Sequence, residues 1–140
     1  MWRYLIIPLV AAGVAQLIKM ALAGSRPGVT TWQQLWSYGG MPSMHAAFTV
    51  SLCTVLYLSE GISTVFVVAV VFTLLTLNDA LMLRRQVGDH ATVLNRIIEQ
   101  LPDEKEYNYP ILTVRVGHTF SEIIAGGVLG AVLALLLWWL

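Results

Sequence analysis

The chain is 140 residues long, a length suited to one domain covering residues 1–140. Hydrophobic residues make up 57% and charged residues only 11%, with a mean hydropathy of +0.72; soluble domains carry about 25% charged residues, so an ordinary water-facing shell is excluded. Eight basic and eight acidic residues cancel, which removes the electrostatic case for a nucleic-acid partner, and the single cysteine, Cys53, can form neither an intrachain disulfide nor a metal cluster.

Composition therefore predicts an all-α, polytopic membrane helix bundle. A bilayer core about 30 Å thick needs roughly 20 mostly apolar residues of helix, and about four transmembrane helices are expected. The first runs from Tyr4 to Ala23. Arg3 precedes it, but no convincing cleavage site follows, and Lys19 and Arg26 at its far end suit a retained helix. The second spans Pro42 to Leu58, closed by a turn at Ser59-Glu60-Gly61, and the third spans Ile62 to Leu83. Next comes RRQVGDHATVLNRIIEQL, in which Val87, Ala91, Leu94, Ile98 and Leu101 recur at helical spacing. This predicts an amphipathic helix on the membrane or against the bundle, followed by the polar loop PDEKEYNYP. The fourth span starts at about Thr119 and runs to Leu140; its Gly126, Gly127 and Gly130 would let a neighbouring helix approach closely. Trp2, Trp32, Trp36, Trp138 and Trp139 fall at or beyond span ends, where amphipathic rings prefer the interface.

Alternating spans put the end of the first, the start of the second, the end of the third and the start of the fourth on one side. Lys19, Arg26, His45, Asp79, Arg84, Arg85, Arg115, His118 and Glu122 then gather at one membrane face. Ionisable groups at membrane depth mark functional sites by default.

Each piece has a plain reading beside the functional one. Lys19 and Arg26 lie about two helical turns apart. They suit a phosphate ligand, and snorkelling with interface anchoring explains them equally well. In GGMPSMHAA, Pro42 and Ser43 are natural first-turn residues, and a helix start binds anions through its unpaired N–H groups. His45 beside such a site could donate a proton; otherwise it is a structural histidine in a capped helix. In RVGHTFSEIIAG, His118 and Glu122 share a face, so the carboxylate can fix the imidazole tautomer and leave the other ring nitrogen nucleophilic. An ordinary i, i+4 pair is the alternative, but lipid exposure would be costly, so both should face the bundle interior. In NDALMLRRQVGDH, Asp79 supports the site or neutralises a buried arginine, Arg84 and Arg85 mark the span end, and His90 belongs to the surface.

A resemblance follows from these segments. KMALAGSRP resembles the Lys-x6-Arg-Pro pattern of the type 2 phosphatidic acid phosphatase superfamily, relatives of the vanadium-dependent haloperoxidases. PSMH resembles its Pro-Ser-Gly-His, GHTFSE resembles its His-x3-Asp, and the order along the chain agrees. GGMPSMHAA, NDALMLRRQVGDHATVLN and GHTFSEIIAGGVLG are most similar to the divergent, shorter branch described as acid phosphatase/vanadium-dependent haloperoxidase-related. The resemblance implies a metal-independent histidine phosphatase with no cofactor. His118 would be the nucleophile and Glu122 its orienting group, with His45 protonating the leaving oxygen. Lys19, Arg26 and Ser43 would hold the phosphate. Met44 stands in place of glycine and Glu122 in place of aspartate. Leu112 lies where the superfamily carries Ser-Arg, so the missing phosphate arginine is expected from Arg84 or Arg85 ahead of Arg115. Four spans are fewer than the superfamily's six, and a homodimer is the expected compensation.

The expected activity is hydrolysis of a phosphate monoester or pyrophosphate on a membrane lipid, through a phosphohistidine. Phosphatidic acid, phosphatidylglycerophosphate and polyprenyl pyrophosphate are the candidate substrates. A non-catalytic membrane protein that binds phospholipid headgroups, such as a transporter or assembly factor, accounts for the same basic residues. All the basic residues except Arg3 lie on the side of the site, so the positive-inside bias predicts a cytoplasmic-facing site, in the cell membrane if the source is bacterial.

Overall fold

A computed structural model describes residues 1–23, 40–101, 109–112, 114 and 117–140. Regular structure among them is helical throughout: α1 (Arg3–Ala23), α2 (Met44–Glu60), α3 (Thr64–Asn78), a π turn (Asp79–Leu83), α4 (Arg84–Glu99) and α5 (Phe120–Trp138). The all-α membrane bundle is therefore the observed architecture.

Capping chemistry sets the helix ends. Ser43 is extended, and its hydroxyl accepts from the Ala46 N–H at 3.4 Å, which starts α2. Gly61 ends that helix at φ +66°, a conformation glycine adopts without penalty, with its N–H donating to the Tyr57 carbonyl at 2.9 Å. Ser63 then caps α3 by accepting from the Phe66 N–H at 3.2 Å. So short a connection makes α2 and α3 antiparallel neighbours. α5 opens on a full capping box: Thr119 Oγ1 accepts from the Glu122 N–H, and Glu122 Oε2 accepts from the Thr119 N–H.

The hub is α2. It packs against α5 above all, then against α1 and α3, and α1 also reaches α5. The glycines of α5 explain the closest pairing, because Gly126 lies on the backbone of Ser43 and Gly130 on that of Ala47. The middle glycine differs: a Cβ at Gly127 would meet only Val50 Cγ2, at an ordinary 3.5 Å. Small apolar clusters close both ends of the bundle. Ile7, Val55 and Ala134 pack with Tyr4, Leu137 and Trp138 at one end; Ala46, Ala80 and Ile123 pack with Leu77 and Leu81 at the other. At the first end Arg3 Nη1 donates to the Trp138 carbonyl at 3.3 Å, and its guanidinium lies 5.6 Å from the Trp138 ring centroid.

Three helical runs are long and apolar enough to cross a bilayer: residues 3–22, 64–99 and 120–138. The second expected span, Pro42 to Leu58, is α2, whose 17 residues sit at the short limit for a crossing. Outward-facing Phe72, Leu75 and Leu136 are each at least 60% exposed; so much contiguous apolar surface belongs in lipid rather than water.

One boundary differs from expectation. The third span does not stop at Leu83; α3, the π turn and α4 form one continuous 36-residue run. A π turn admits an extra residue without breaking the helix, so the paired arginines mark a change of register, not an end. The expected apolar stripe of α4 is split between the bundle and the outside. Val87 and Leu94 are about half exposed, whereas Gly88 and Ala91 are buried.

Candidate active site

The capping box of α5 begins the site. Glu122 Oε2 accepts from the Thr119 N–H at 3.1 Å and lies 2.9 Å from His118 Nδ1. The two side chains are only 6% and 9% exposed. A carboxylate accepts, so Nδ1 carries the hydrogen and Nε2 keeps its lone pair. A sequence-local device, the capping box, thus also fixes the imidazole tautomer.

His118 is held from the other side by the backbone. Its N–H donates to the Ala80 carbonyl at 3.2 Å, within the π turn. His45 comes from a different helix, in the first turn of α2, and its ring meets that of His118 edge-on. The centroids are 6.1 Å apart with an interplanar angle of 67°. The two helix starts are joined directly, because the Ser43 N–H donates to the Glu122 carbonyl at 2.9 Å. Ser43 itself is fully buried, its hydroxyl engaged as the α2 cap.

Lys19 approaches from the end of α1. Its stem packs against Gly40, where a Cβ would stand 3.1 Å from Cε, and Gly40 takes a φ of +97°. The Gly40 backbone hydrogen-bonds Glu122, and the Lys19 ammonium lies within electrostatic reach of the same carboxylate. One anionic oxygen pair is therefore surrounded by an imidazole, two backbone groups and an ammonium. Met44, which stands where the related motif has glycine, turns its side chain outward at 37% exposure.

Of the residues singled out in the sequence, Lys19, Ser43, His45, His118 and Glu122 are brought together. Asp79 opens the π turn beside Ala80 and is half-buried. Arg26 and Arg115 lie outside the described residues, as do the side chains of Arg84 and Arg85, whose backbone begins α4 within a turn of Ala80. His90 is exposed on α4, as expected of a surface residue. Gly40 and Ala80 were not anticipated. The glycine pair before Met41 was the visible signal for the first; nothing in the sequence marks a backbone carbonyl such as that of Ala80.

The family model described as the Divergent PAP2 family matches residues 2–133. The chain belongs to the divergent PAP2 family. The match takes in every residue of the site just described. A curated relative, "Uncharacterized membrane protein YuiD" of Bacillus subtilis (strain 168), is 32% identical over 136 residues, covering 88% of this chain and 85% of the relative. No solved structure matches the chain. Membership of the divergent PAP2 family agrees with the resemblance read from KMALAGSRP, PSMH and GHTFSE.

Proposed function

We propose that this divergent PAP2 family protein is a membrane lipid phosphatase that hydrolyses a phosphate monoester or pyrophosphate through a phosphohistidine. The observation that carries the reading is the pair of imidazoles from two helices, His45 and His118, with the second oriented by Glu122 at 2.9 Å. In the first step His118 Nε2 attacks phosphorus and the bond to the lipid oxygen breaks, while His45 gives its proton to that oxygen. In the second, His45 takes a proton from water, the water oxygen attacks phosphorus, the N–P bond breaks and inorganic phosphate leaves. Phosphoryl transfer needs chiefly positioning and charge stabilisation. Lys19, Arg26 and one of Arg84, Arg85 or Arg115 supply the positive charge, with Ser43 setting the helix start that faces the anion. Asp79 supports the basic groups. The site faces the cytoplasm in this proposal, and two copies of the four-helix unit associate.

Phosphate release by the purified protein, assayed on phosphatidic acid, phosphatidylglycerophosphate and a polyprenyl pyrophosphate, tests the reading. Wild-type protein should turn over at least one of them and be inhibited by vanadate, which adopts the five-coordinate geometry of the transferring phosphoryl group. His118→Ala should be inactive. Full activity in His118→Ala removes the proposed nucleophile. Binding of lipid phosphates without turnover or vanadate sensitivity would instead favour a headgroup-binding protein, a reading the replacement of the motif glycine by Met44 supports.

A further inference from the structure

A groove of about 330 Å³ runs between α2 and α3. Val50, Cys53 and Tyr57 line it on α2, and Phe66, Val70 and Leu74 on α3. Its lining is almost wholly apolar, and both of its threonine hydroxyls are already engaged. Thr73 Oγ1 donates to the Ala69 carbonyl at 2.8 Å and meets Cys53 Sγ at 3.1 Å, while Thr54 Oγ1 donates to the Val50 carbonyl at 2.8 Å. The groove offers an occupant chiefly apolar contact area.

Its depth relates it to the histidines. With a rise of 1.5 Å per residue, Val50 lies roughly 7 Å and Tyr57 roughly 18 Å along the α2 axis from His45. Half of a bilayer core is about 15 Å. With headgroups level with His45 and His118, the groove therefore runs from within that leaflet's hydrocarbon to about the bilayer midplane. It is also open for a geometric reason: α3 and α5 both pack on α2 but hardly on each other. They meet only near the histidines, where Ala46, Ala80 and Ile123 close the gap.

We infer that this groove holds one hydrocarbon chain of the lipid whose phosphate sits between His45 and His118. The inference rests on the phosphatase reading and adds how the lipid is held. A partner helix is a poorer occupant. Helices associate in membranes through small residues and polar groups, whereas this groove presents the bulky apolar faces of Tyr57, Phe66 and Leu74, with both threonine hydroxyls engaged. The small-residue face of α5 is already occupied by α2.

Cys53, the single cysteine, is a reporter already in the groove wall. The rate of its reaction with N-ethylmaleimide is measured in phosphatidylcholine vesicles carrying phosphatidic acid or diacylglycerol, or with glycerol 3-phosphate in the water. The His118→Ala variant is used in parallel, so that the lipid is not consumed. Phosphatidic acid at about ten times its Kd should slow the reaction about tenfold in His118→Ala, where it persists, and only until it is hydrolysed in the wild type, while diacylglycerol and glycerol 3-phosphate leave the rate unchanged. Leu74→Trp, which fills the groove, should abolish the protection and raise KM for phosphatidic acid while leaving hydrolysis of a water-soluble phosphate ester intact. Turnover of phosphatidic acid without protection of Cys53, or equal protection by diacylglycerol, overturns the groove assignment and leaves the phosphatase reading standing. Protection without turnover sustains the groove as the lipid site and overturns the phosphatase reading.

Discussion

Gly126 and Gly127 are adjacent on α5, yet the same substitution should have opposite consequences at the two. Each change to alanine adds one methyl group and gains about 1 kcal/mol of helix propensity. At Gly127 the new Cβ meets Val50 Cγ2 at 3.5 Å, an ordinary contact. At Gly126 it would stand 3.0 Å from both the backbone nitrogen and carbonyl carbon of Ser43, and nearer still to the carbonyl oxygen. Carbon contacts relax at about 3.5–4.0 Å, so α2 and α5 must part by roughly half an ångström or more. That movement stretches the Ser43 N–H to Glu122 carbonyl bond, now 2.9 Å. Overpacking typically costs about 1–3 kcal/mol, and a buried donor left without its acceptor costs about 1–3 kcal/mol more. After the propensity gain of about 1 kcal/mol, Gly126→Ala should be destabilised by about 1–5 kcal/mol, centred near 3. At about 3–5 °C per kcal/mol for a chain this size, Tm should fall by roughly 10 °C. Tryptophan fluorescence during thermal unfolding in detergent reads the difference, with phosphate release as a second measurement because the same movement separates His45 from His118. A Gly126→Ala protein as stable as Gly127→Ala would refute the packing argument.

Other expectations follow from single contacts. His45→Asn should slow the phosphorylation step, read as the burst of released alcohol, by about 10²–10⁴ for an alkyl phosphate, the usual contribution of a general acid, and hardly slow that step for p-nitrophenyl phosphate, whose leaving group needs no proton; equal losses of the burst rate on both would remove His45 from the acid role. Thr119→Ala should lose about 1 kcal/mol, as should Ser63→Ala at the other capped start. Only Thr119→Ala should also lower activity, since the bond it loses, from the Glu122 N–H to Oγ1, holds the first turn that carries the carboxylate paired with His118; equal activity in the two variants would separate the cap from the site. Asn95 donates to the Leu112 carbonyl at 2.9 Å and accepts from the Leu112 N–H at 3.0 Å. Asn95→Ala should therefore speed hydrogen exchange at Leu112, and an unchanged rate would show that the pairing contributes no protection.

The helices themselves were legible in the amino-acid order, because hydropathy, capping residues and i, i+4 spacing act within a turn or two of chain. The span from Tyr4, the caps at Ser43 and Thr119 and the shared face of His118 and Glu122 all belong to that local grammar. Alternation of spans was enough to bring Lys19, His45 and His118 to one side. Local spacing could not say that the third span continues through a π turn, since one extra residue within a helical pattern leaves the apolar composition unchanged. Nor could it orient the amphipathic helix: Val87, Ala91 and Leu94 form an apolar stripe whether that stripe meets protein or lipid, and the tertiary structure buries Ala91 while leaving Val87 and Leu94 outward. The glycines of α5 announced a close approach without naming the partner. Tertiary packing made the partner α2, and so joined Ser43 to Glu122 across 79 positions of sequence. Distances between helix starts depend on which surfaces interlock, a property of two helices together that neither segment carries alone.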